Sequence, residues 1–169
     1  MKKRIVKDSD YYGTPDRLFN PLTEYWNFDL DAAASDHNHK CERYLSEKDD
    51  ALSIDWHGDS VFCNPPYSKA AGPIDVWLAH AHQQCVEYGN CGKVVMLLQG
   101  DTSTLWYAKS LYQAHELCFL KGRVTFIGAK GPAKFGTLLV IYRREQNLEG
   151  KANITLWDWK REPFIDRGL

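Results

Sequence analysis

The amino-acid sequence predicts an α/β fold: a mostly parallel, doubly wound sheet with a terminal antiparallel strand. The first observation is an alternation of strand and helix patterns through the middle of the chain, as parallel sheets require. The second is the run at residues 93–98, lysine followed by five apolar residues, which is typical of a parallel strand covered on both faces. The third is a closing pair of strand patterns at residues 115–120 and 136–142, which predicts a hairpin with antiparallel pairing.

Length and composition limit the class of protein. The 169 residues, 44% of them hydrophobic, predict a single domain over residues 11–169, preceded by a flexible leader at residues 1–10. The net charge of −1 excludes an overall basic field, so nucleic-acid binding would need a local patch. Because no stretch is long and apolar enough for an export signal or a membrane span, we expect a cytoplasmic protein. The odd number of cysteines, five, without Cys-x-x-Cys spacing, favours free buried thiols.

Residues 14–26 predict the first helix. Thr14 is a typical N-cap, and Pro15 suits the first helical position. Apolar residues then recur at helical spacing, although Pro21 should kink the helix or restart it.

Residues 26–31 alternate apolar and polar, which predicts a strand that ends in a turn of small residues at 32–35. Asp31 would lie at the carboxyl end of this strand, where α/β sheets bind ligands. Its carboxylate could accept from an ammonium group, while Ala32 and its neighbours let a ligand approach the backbone. A solvated acidic loop is the alternative interpretation.

The polar segment that follows carries two sets of candidate ligand groups. A carboxylate at a strand end can accept both hydroxyls of a ribose. The candidates for that role are Glu47, Asp49 and Asp50. The candidates for a metal site are His37, His39 and Cys41. Because these three lack a fourth ligand, we favour a polar loop and predict no metal.

Residues 61–68 carry the clearest chemical motif. Val-Phe-Cys predicts a short buried strand, and Asn-Pro-Pro ends it because proline cannot donate to a sheet ladder. Pro65 and Pro66 fix φ, so the Asn64 amide oxygen and the Pro65 carbonyl form a rigid pair of acceptors beside the flat face of Tyr67. This site suits the exocyclic amine of a planar base, since two acceptors favour the pyramidal amine of the transition state. A plain proline turn carrying an aromatic residue is the alternative.

The second half predicts further elements of the sheet. Gly72-Pro73 opens an amphipathic helix, and Thr102 or Ser103 caps another after the 93–98 strand. After the strand at 115–120, residues 124–127 predict another strand. The C-terminal tail, rich in tryptophan, could add an edge strand.

Residues 128–135 predict a small, basic, flexible loop between strands. Together with nearby cations it could form a face that contacts phosphates, whereas ordinary surface charge is the alternative. The cations are Lys69, Lys121, Arg123, Lys130, Lys134, Arg143 and Arg144.

Taken together, five segments resemble the phage-type Dam family of DNA adenine N6-methyltransferases. The segments are Tyr12-Gly13-Thr14-Pro15, Phe28-Asp29-Leu30-Asp31-Ala32-Ala33-Ala34, Asp50-Ala51-Leu52 with Asp55-Trp56, Asn64-Pro65-Pro66-Tyr67-Ser68, and Gly122-Arg123-Val124-Thr125-Phe126. They cover residues 11–142 in the order of that family. The Gly-x-Gly of methyltransferases more broadly is replaced here by Ala33-Ala34-Ser35.

The resemblance implies a Rossmann-like methyltransferase fold, S-adenosylmethionine as methyl donor and adenine in double-stranded DNA as acceptor. The implied catalytic residues are Asn64, Pro65, Pro66 and Tyr67. The implied cofactor contacts are Tyr12, Thr14, Pro15, Asp31, Ala32, Asp50 and Asn64. The candidate DNA contacts are Ser68, Lys69, Arg123, Lys130 and Lys134.

The resulting hypothesis is that a flipped adenine stacks on Tyr67, with its amine held by Asn64 and Pro65. Two alternatives stay open: methylation of a protein glutamine or an RNA base, and a catalytically idle DNA-binding relative. We expect no separate target-recognition domain and no obligate protein partner, so specificity should lie in residues 128–135 or in the C-terminal tail. If the protein is phage-encoded, the expected location is the host cytoplasm.

Overall fold

The computed structural model describes residues 8–68, 72–145 and 150–165, and its centre is a six-stranded sheet. The strands are β1 (Leu30–Asp31), β2 (Gly58–Cys63), β3 (Cys91–Gln99), β4 (Glu116–Leu120), β5 (Thr137–Arg143) and β6 (Asn153–Trp157). The helices are α1 (Asp16–Trp26), α2 (Ile74–His82), which continues as a π-helix at Gln83–Glu87, and α3 (Leu105–Gln113). A 3₁₀ turn at Asp8–Tyr11 precedes them. Among the described residues, no helix is long and apolar enough to cross a membrane.

The strand order is β1-β2-β3-β5-β4-β6. β1, β2 and β3 pair in parallel, β5 pairs antiparallel with both β3 and β4, and β6 pairs in parallel with β4. The mostly parallel α/β sheet is confirmed, but the terminal position predicted for the antiparallel strand is wrong. β5 is buried on both faces and therefore lies inside the sheet, whereas β6 exposes Ile154 and Leu156 and forms an edge.

Both faces of the sheet are covered. α2 and α3 pack on one face, where Val94, Met96 and Leu98 of β3 join the core. α1 and the C-terminal segment pack on the other face, against Val95 and Leu97. The alternation along β3 explains its continuous apolar run, because both of its faces meet a helical layer. The covered sheet places the carboxyl ends of β1, β2 and β3 along one open edge.

The N-terminal helix ends at Trp26 as predicted but differs from its prediction at its start and at Pro21. Pro15, with no side-chain hydrogen bond, is the N-cap residue in place of Thr14, and α1 continues through Pro21 without a restart. The predicted strand at residues 26–31 shrinks to β1, because Trp26 still belongs to α1 and Asn27 adopts a left-handed conformation with φ of 51°.

Two later predictions also change. Residues 124–127 do not form the predicted strand: Ile127 makes an isolated antiparallel bridge with Gly13. Thr104, not Thr102 or Ser103, caps α3, since its hydroxyl accepts from the backbone N–H of Tyr107.

Candidate active site

Two hollows open at the carboxyl edge of the sheet, on either side of the loop that follows β2. The larger hollow, the acceptor cavity, has a volume of about 710 Å³, and Asn64, Pro65 and Tyr67 contribute to its wall. The smaller hollow, the donor groove, has a volume of about 120 Å³ and includes Pro66 in its wall. The Asn-Pro-Pro-Tyr segment therefore forms the partition between the two hollows, where open α/β sheets bind ligands.

The Asn64 amide is held by two side chains. Its Nδ2 donates to the Thr14 hydroxyl at 3.1 Å, and its Oδ1 lies 3.2 Å from the Tyr67 hydroxyl. The same hydroxyl lies 2.9 Å from the carbonyl oxygen of Leu97 in β3. Burial raises the pKa of the Tyr67 hydroxyl well above its usual range, so it remains protonated. Its single proton is shared between these two acceptors, and because the amide oxygen has two lone pairs, Asn64 Oδ1 keeps one for another donor.

Aromatic rings form much of the acceptor cavity. Tyr12, Tyr67, Phe126 and Phe135 all line it. The ring centroid of Tyr67 lies 6.4 Å from that of Phe126 and 5.9 Å from that of Phe135, at interplanar angles of 84° and 75°. Such a wall, with a few polar groups between the rings, is typical of sites for planar ligands. The volume falls within the usual range for small-molecule sites, about 300–1,000 Å³.

The donor groove has a different lining. Its floor includes the small residues Ala32, Ala33 and Ala34, and its rim carries the carboxylates of Glu47 and Asp50. Small side chains allow a ligand to approach the backbone, and carboxylates can accept ribose hydroxyls. Asp49, the third ribose candidate, instead accepts from the backbone N–H and hydroxyl of Ser46, both at 2.7 Å.

Asp31 is buried, with 3% of its surface exposed. Its Oδ1 accepts from the backbone N–H of Ala33 at 3.3 Å, and its Oδ2 accepts from that of Lys40 at 3.0 Å. Burial raises the pKa of this carboxyl to about 6, against an ordinary value of 3.8. Asp31 is not part of the described lining of either hollow: it ends β1, and its carboxylate accepts from the backbone of the segment that follows.

The remaining cofactor contacts predicted near the N-terminus lie in different places. Tyr12, predicted as a cofactor contact, lines the acceptor cavity and is not part of the described lining of the donor groove. Thr14 is buried against Asn64, and Pro15 begins α1. The predicted metal candidates also diverge: the His39 ring stacks on Tyr44 with centroids 4.3 Å apart, and the Cys41 thiol packs in the core. Within the described ranges, no three potential ligands converge on one point.

The candidate DNA contacts fall into three groups. Lys130 and Lys134 are exposed and line the acceptor cavity. The Arg123 guanidinium donates to the carbonyl of Ala133 at 2.9 Å and so braces the 128–135 loop. The Ser68 hydroxyl and N–H both donate to one carboxylate, and Lys69 lies outside the described residues.

The other cations of the predicted face are engaged elsewhere. Lys121 pairs with Asp158 at 2.8 Å. Arg143 lies over the ring of Trp26, and Arg144 donates to the carbonyl of Cys91. Neither belongs to the described lining of the hollows.

Sequence reasoning missed the residue that meets Ser68, which is Asp10. Its carboxylate accepts from the Ser68 N–H at 3.1 Å and from the hydroxyl at 2.6 Å, and it lines both hollows. Most of the predicted flexible leader, residues 1–7, lies outside the described residues, whereas Asp8–Tyr11 forms a helical turn. Gln99, Phe126 and Phe135 of the acceptor cavity were also missed, although Phe126 lies just before the predicted basic loop and Phe135 is its last residue.

This arrangement suits a transferase that brings two ligands together across one loop. One hollow offers fixed oxygen acceptors beside an aromatic plate, and the other offers small residues and carboxylates.

Comparison with known proteins gives the family. Residues 2–152 match the family model for DNA N-6-adenine-methyltransferase (Dam). The chain is 34% identical over 123 residues to the DNA N-6-adenine-methyltransferase of Haemophilus phage HP1 (strain HP1c1), a match that covers 71% of this chain and 68% of that protein. It is 33% identical over 118 residues to the DNA N-6-adenine-methyltransferase of Escherichia phage T1, covering 69% and 47%. The chain belongs to the Dam family of DNA N-6-adenine-methyltransferases, which confirms the family resemblance.

Proposed function

We propose that the protein transfers a methyl group from S-adenosylmethionine to the N6 amine of an adenine in duplex DNA. The observation that carries this proposal is the position of the Asn-Pro-Pro-Tyr segment between two hollows. Acceptor and donor ligands in these hollows would meet at the segment that carries the fixed oxygen atoms. The mostly parallel sheet with helices on both faces supports a Rossmann-like methyltransferase fold.

The donor groove fits the parts of S-adenosylmethionine. Glu47 and Asp50 would accept the ribose hydroxyls, and apolar groups of Leu45, Leu52 and Trp77 would contact the adenine ring. The alanines of the groove floor replace the usual glycines and still leave the backbone accessible. When bound, S-adenosylmethionine would supply an electrophilic methyl carbon, with S-adenosylhomocysteine as the leaving group and the amine proton passing to water. The groove volume of about 120 Å³ is below the usual range for small-molecule sites, about 300–1,000 Å³. The Tyr11 hydroxyl lies 3.4 Å from Glu47 in the groove lining, so we expect Tyr11 to move when a ligand of this size binds.

The acceptor cavity fits a base that has been flipped out of the duplex. Tyr67 supplies a stacking face, and Phe126 and Phe135 close the sides of the cavity. Asn64 Oδ1 and the Pro65 carbonyl accept the two hydrogens of the exocyclic amine. These contacts strengthen as the nitrogen becomes pyramidal and gains positive charge, so they stabilise the transition state more than the ground state.

DNA would be held by a local basic patch, since the net charge of the chain is −1. Lys130 and Lys134 lie on the loop at the wall of the acceptor cavity, where the phosphates flanking a flipped base would pass. The brace from Arg123 to this loop supports the same role. Residues 128–135 are therefore our candidate for sequence recognition.

The test is a parallel transfer assay. The protein is incubated with methyl-labelled S-adenosylmethionine and, separately, duplex DNA, RNA or a mixed protein substrate. We expect label in DNA and background counts in the other two. Label found only in RNA or only in protein would show that this molecule, and not DNA, is the acceptor. No label in any acceptor, with donor binding absent by calorimetry, would identify a catalytically idle relative.

A further inference from the structure

We infer that Thr14 is a positioning residue, which holds the Asn64 amide with its oxygen toward the acceptor cavity. This inference rests on the proposed function, because it concerns the acceptor oxygen used there. The contact that carries it is the 3.1 Å hydrogen bond from Asn64 Nδ2 to the Thr14 hydroxyl. A threonine just before a helix usually serves the helix as a cap, but here the N-cap residue is Pro15.

The Thr14 side chain is fixed in place. Thr14 is buried, with 3% of its surface exposed. On its N-terminal side, Gly13 exchanges two backbone hydrogen bonds with Ile127, at 3.1 and 2.8 Å. On its C-terminal side, the Pro15 carbonyl accepts from the first turn of α1. The Thr14 hydroxyl therefore meets Asn64 from a rigid backbone on both sides.

A catalytic amide needs such a partner because its two ends have nearly the same shape and opposite polarity. If the Asn64 side chain turned by half a rotation, Nδ2 would face the hydrogens of the substrate amine, and donor would meet donor. The acceptor that the transition state requires would then be lost. In the structure the Thr14 hydroxyl accepts from the NH₂ end, which leaves Oδ1 for the substrate amine.

Tyr67 meets the other end of the amide. Its hydroxyl donates to Asn64 Oδ1 at 3.2 Å and also to the Leu97 carbonyl at 2.9 Å, so its single proton is shared between two acceptors. The contact with Thr14 is therefore the one that holds the NH₂ end of Asn64. Without it, only the shared contact with Tyr67 would hold the amide.

Thr14→Val tests the inference, since valine keeps the shape and removes the hydroxyl. With duplex DNA as substrate, we expect kcat to fall about three- to tenfold, the worth of one hydrogen bond, while KM for DNA stays within about twofold. Thr14→Ser should restore most of the activity because it keeps the hydroxyl. Thr23→Val, on α1, is the matched control and should leave kcat unchanged.

Testing Thr14→Val in a second protein, the Tyr67→Phe variant, distinguishes an effect on the position of the Asn64 amide from an effect on folding. In Tyr67→Phe the stacking face remains but the second contact to the Asn64 amide is gone, so Thr14→Val should lower kcat more there than in the unsubstituted protein. Calorimetry should give the same affinity for S-adenosylmethionine in Thr14→Val and in the unsubstituted protein.

Three results would overturn the inference: unchanged kcat in Thr14→Val, an equal loss in both backgrounds, or a loss explained by weaker donor binding. A protein that never methylates DNA would instead refute the proposed function.

Discussion

Replacing Asp31 by asparagine should change how stability depends on pH. The folded pKa of this buried carboxyl is about 6, above its ordinary value of 3.8, because burial disfavours the charged form. The native state therefore holds the proton more tightly than the unfolded chain. The contribution to stability is complete below the unfolded pKa and is lost as pH rises through the folded pKa. At 1.36 kcal/mol for each pKa unit, the gap between 3.8 and about 6 corresponds to about 3 kcal/mol.

The assay is urea unfolding followed by tryptophan fluorescence at several values between about pH 3 and pH 7, a range that extends roughly one unit beyond both pKa values. Asparagine cannot ionise, so the variant should gain about 3 kcal/mol relative to the unsubstituted protein between the ends of this range. Asp49→Asn is the control with the opposite sign, because hydrogen bonds from Ser46 lower the pKa of Asp49. A free-energy difference between Asp31→Asn and its parent that stays constant across this range would refute the reasoning.

Three further predictions concern the acceptor cavity and the sheet. Replacing Lys130 and Lys134 by glutamine should weaken DNA binding and make the negative slope of log K against log salt shallower by about 1.8, measured by fluorescence anisotropy. An unchanged slope would exclude phosphate contacts by these two lysines. Tyr67→Ala should raise KM for DNA more than Tyr67→Phe does in the transfer assay, since stacking needs only the ring, and equal effects would contradict this. Gly92→Ala should cost about 1–3 kcal/mol by urea unfolding, because its Cβ would lie 2.6 Å from a backbone oxygen of β2, whereas Gly131→Ala, with no atom within 4 Å, should be neutral.

The fold was predictable where the pattern is local. The run at 93–98 became β3 because burial on both faces removes the need for polar alternation. The position of β5 was not predictable, since a run of apolar residues shows that a strand is buried but not which strands flank it. The predicted strand at 124–127 failed because Phe126 turns into the acceptor cavity and Ile127 bridges Gly13.

The candidate site was likewise predictable only where its residues are adjacent in sequence. Asn64 to Tyr67 are adjacent in sequence, so the chemistry of the motif could be predicted from the residues and the rigidity of proline. Asp10 reaches the site across 58 positions, through its hydrogen bonds to Ser68. Phe135 reaches it through a loop. Contacts of this kind depend on tertiary packing and leave no pattern in the local sequence.

Identification of the methylated base tests the central claim most directly. Duplex DNA treated with the protein and S-adenosylmethionine is digested to nucleosides, and the products are separated and identified by mass spectrometry. We expect N6-methyladenine from the unsubstituted protein and from the control Asn20→Ala on the exposed face of α1, and none from Asn64→Ala. Methyl groups on cytosine, or undiminished N6-methyladenine from Asn64→Ala, would contradict the account.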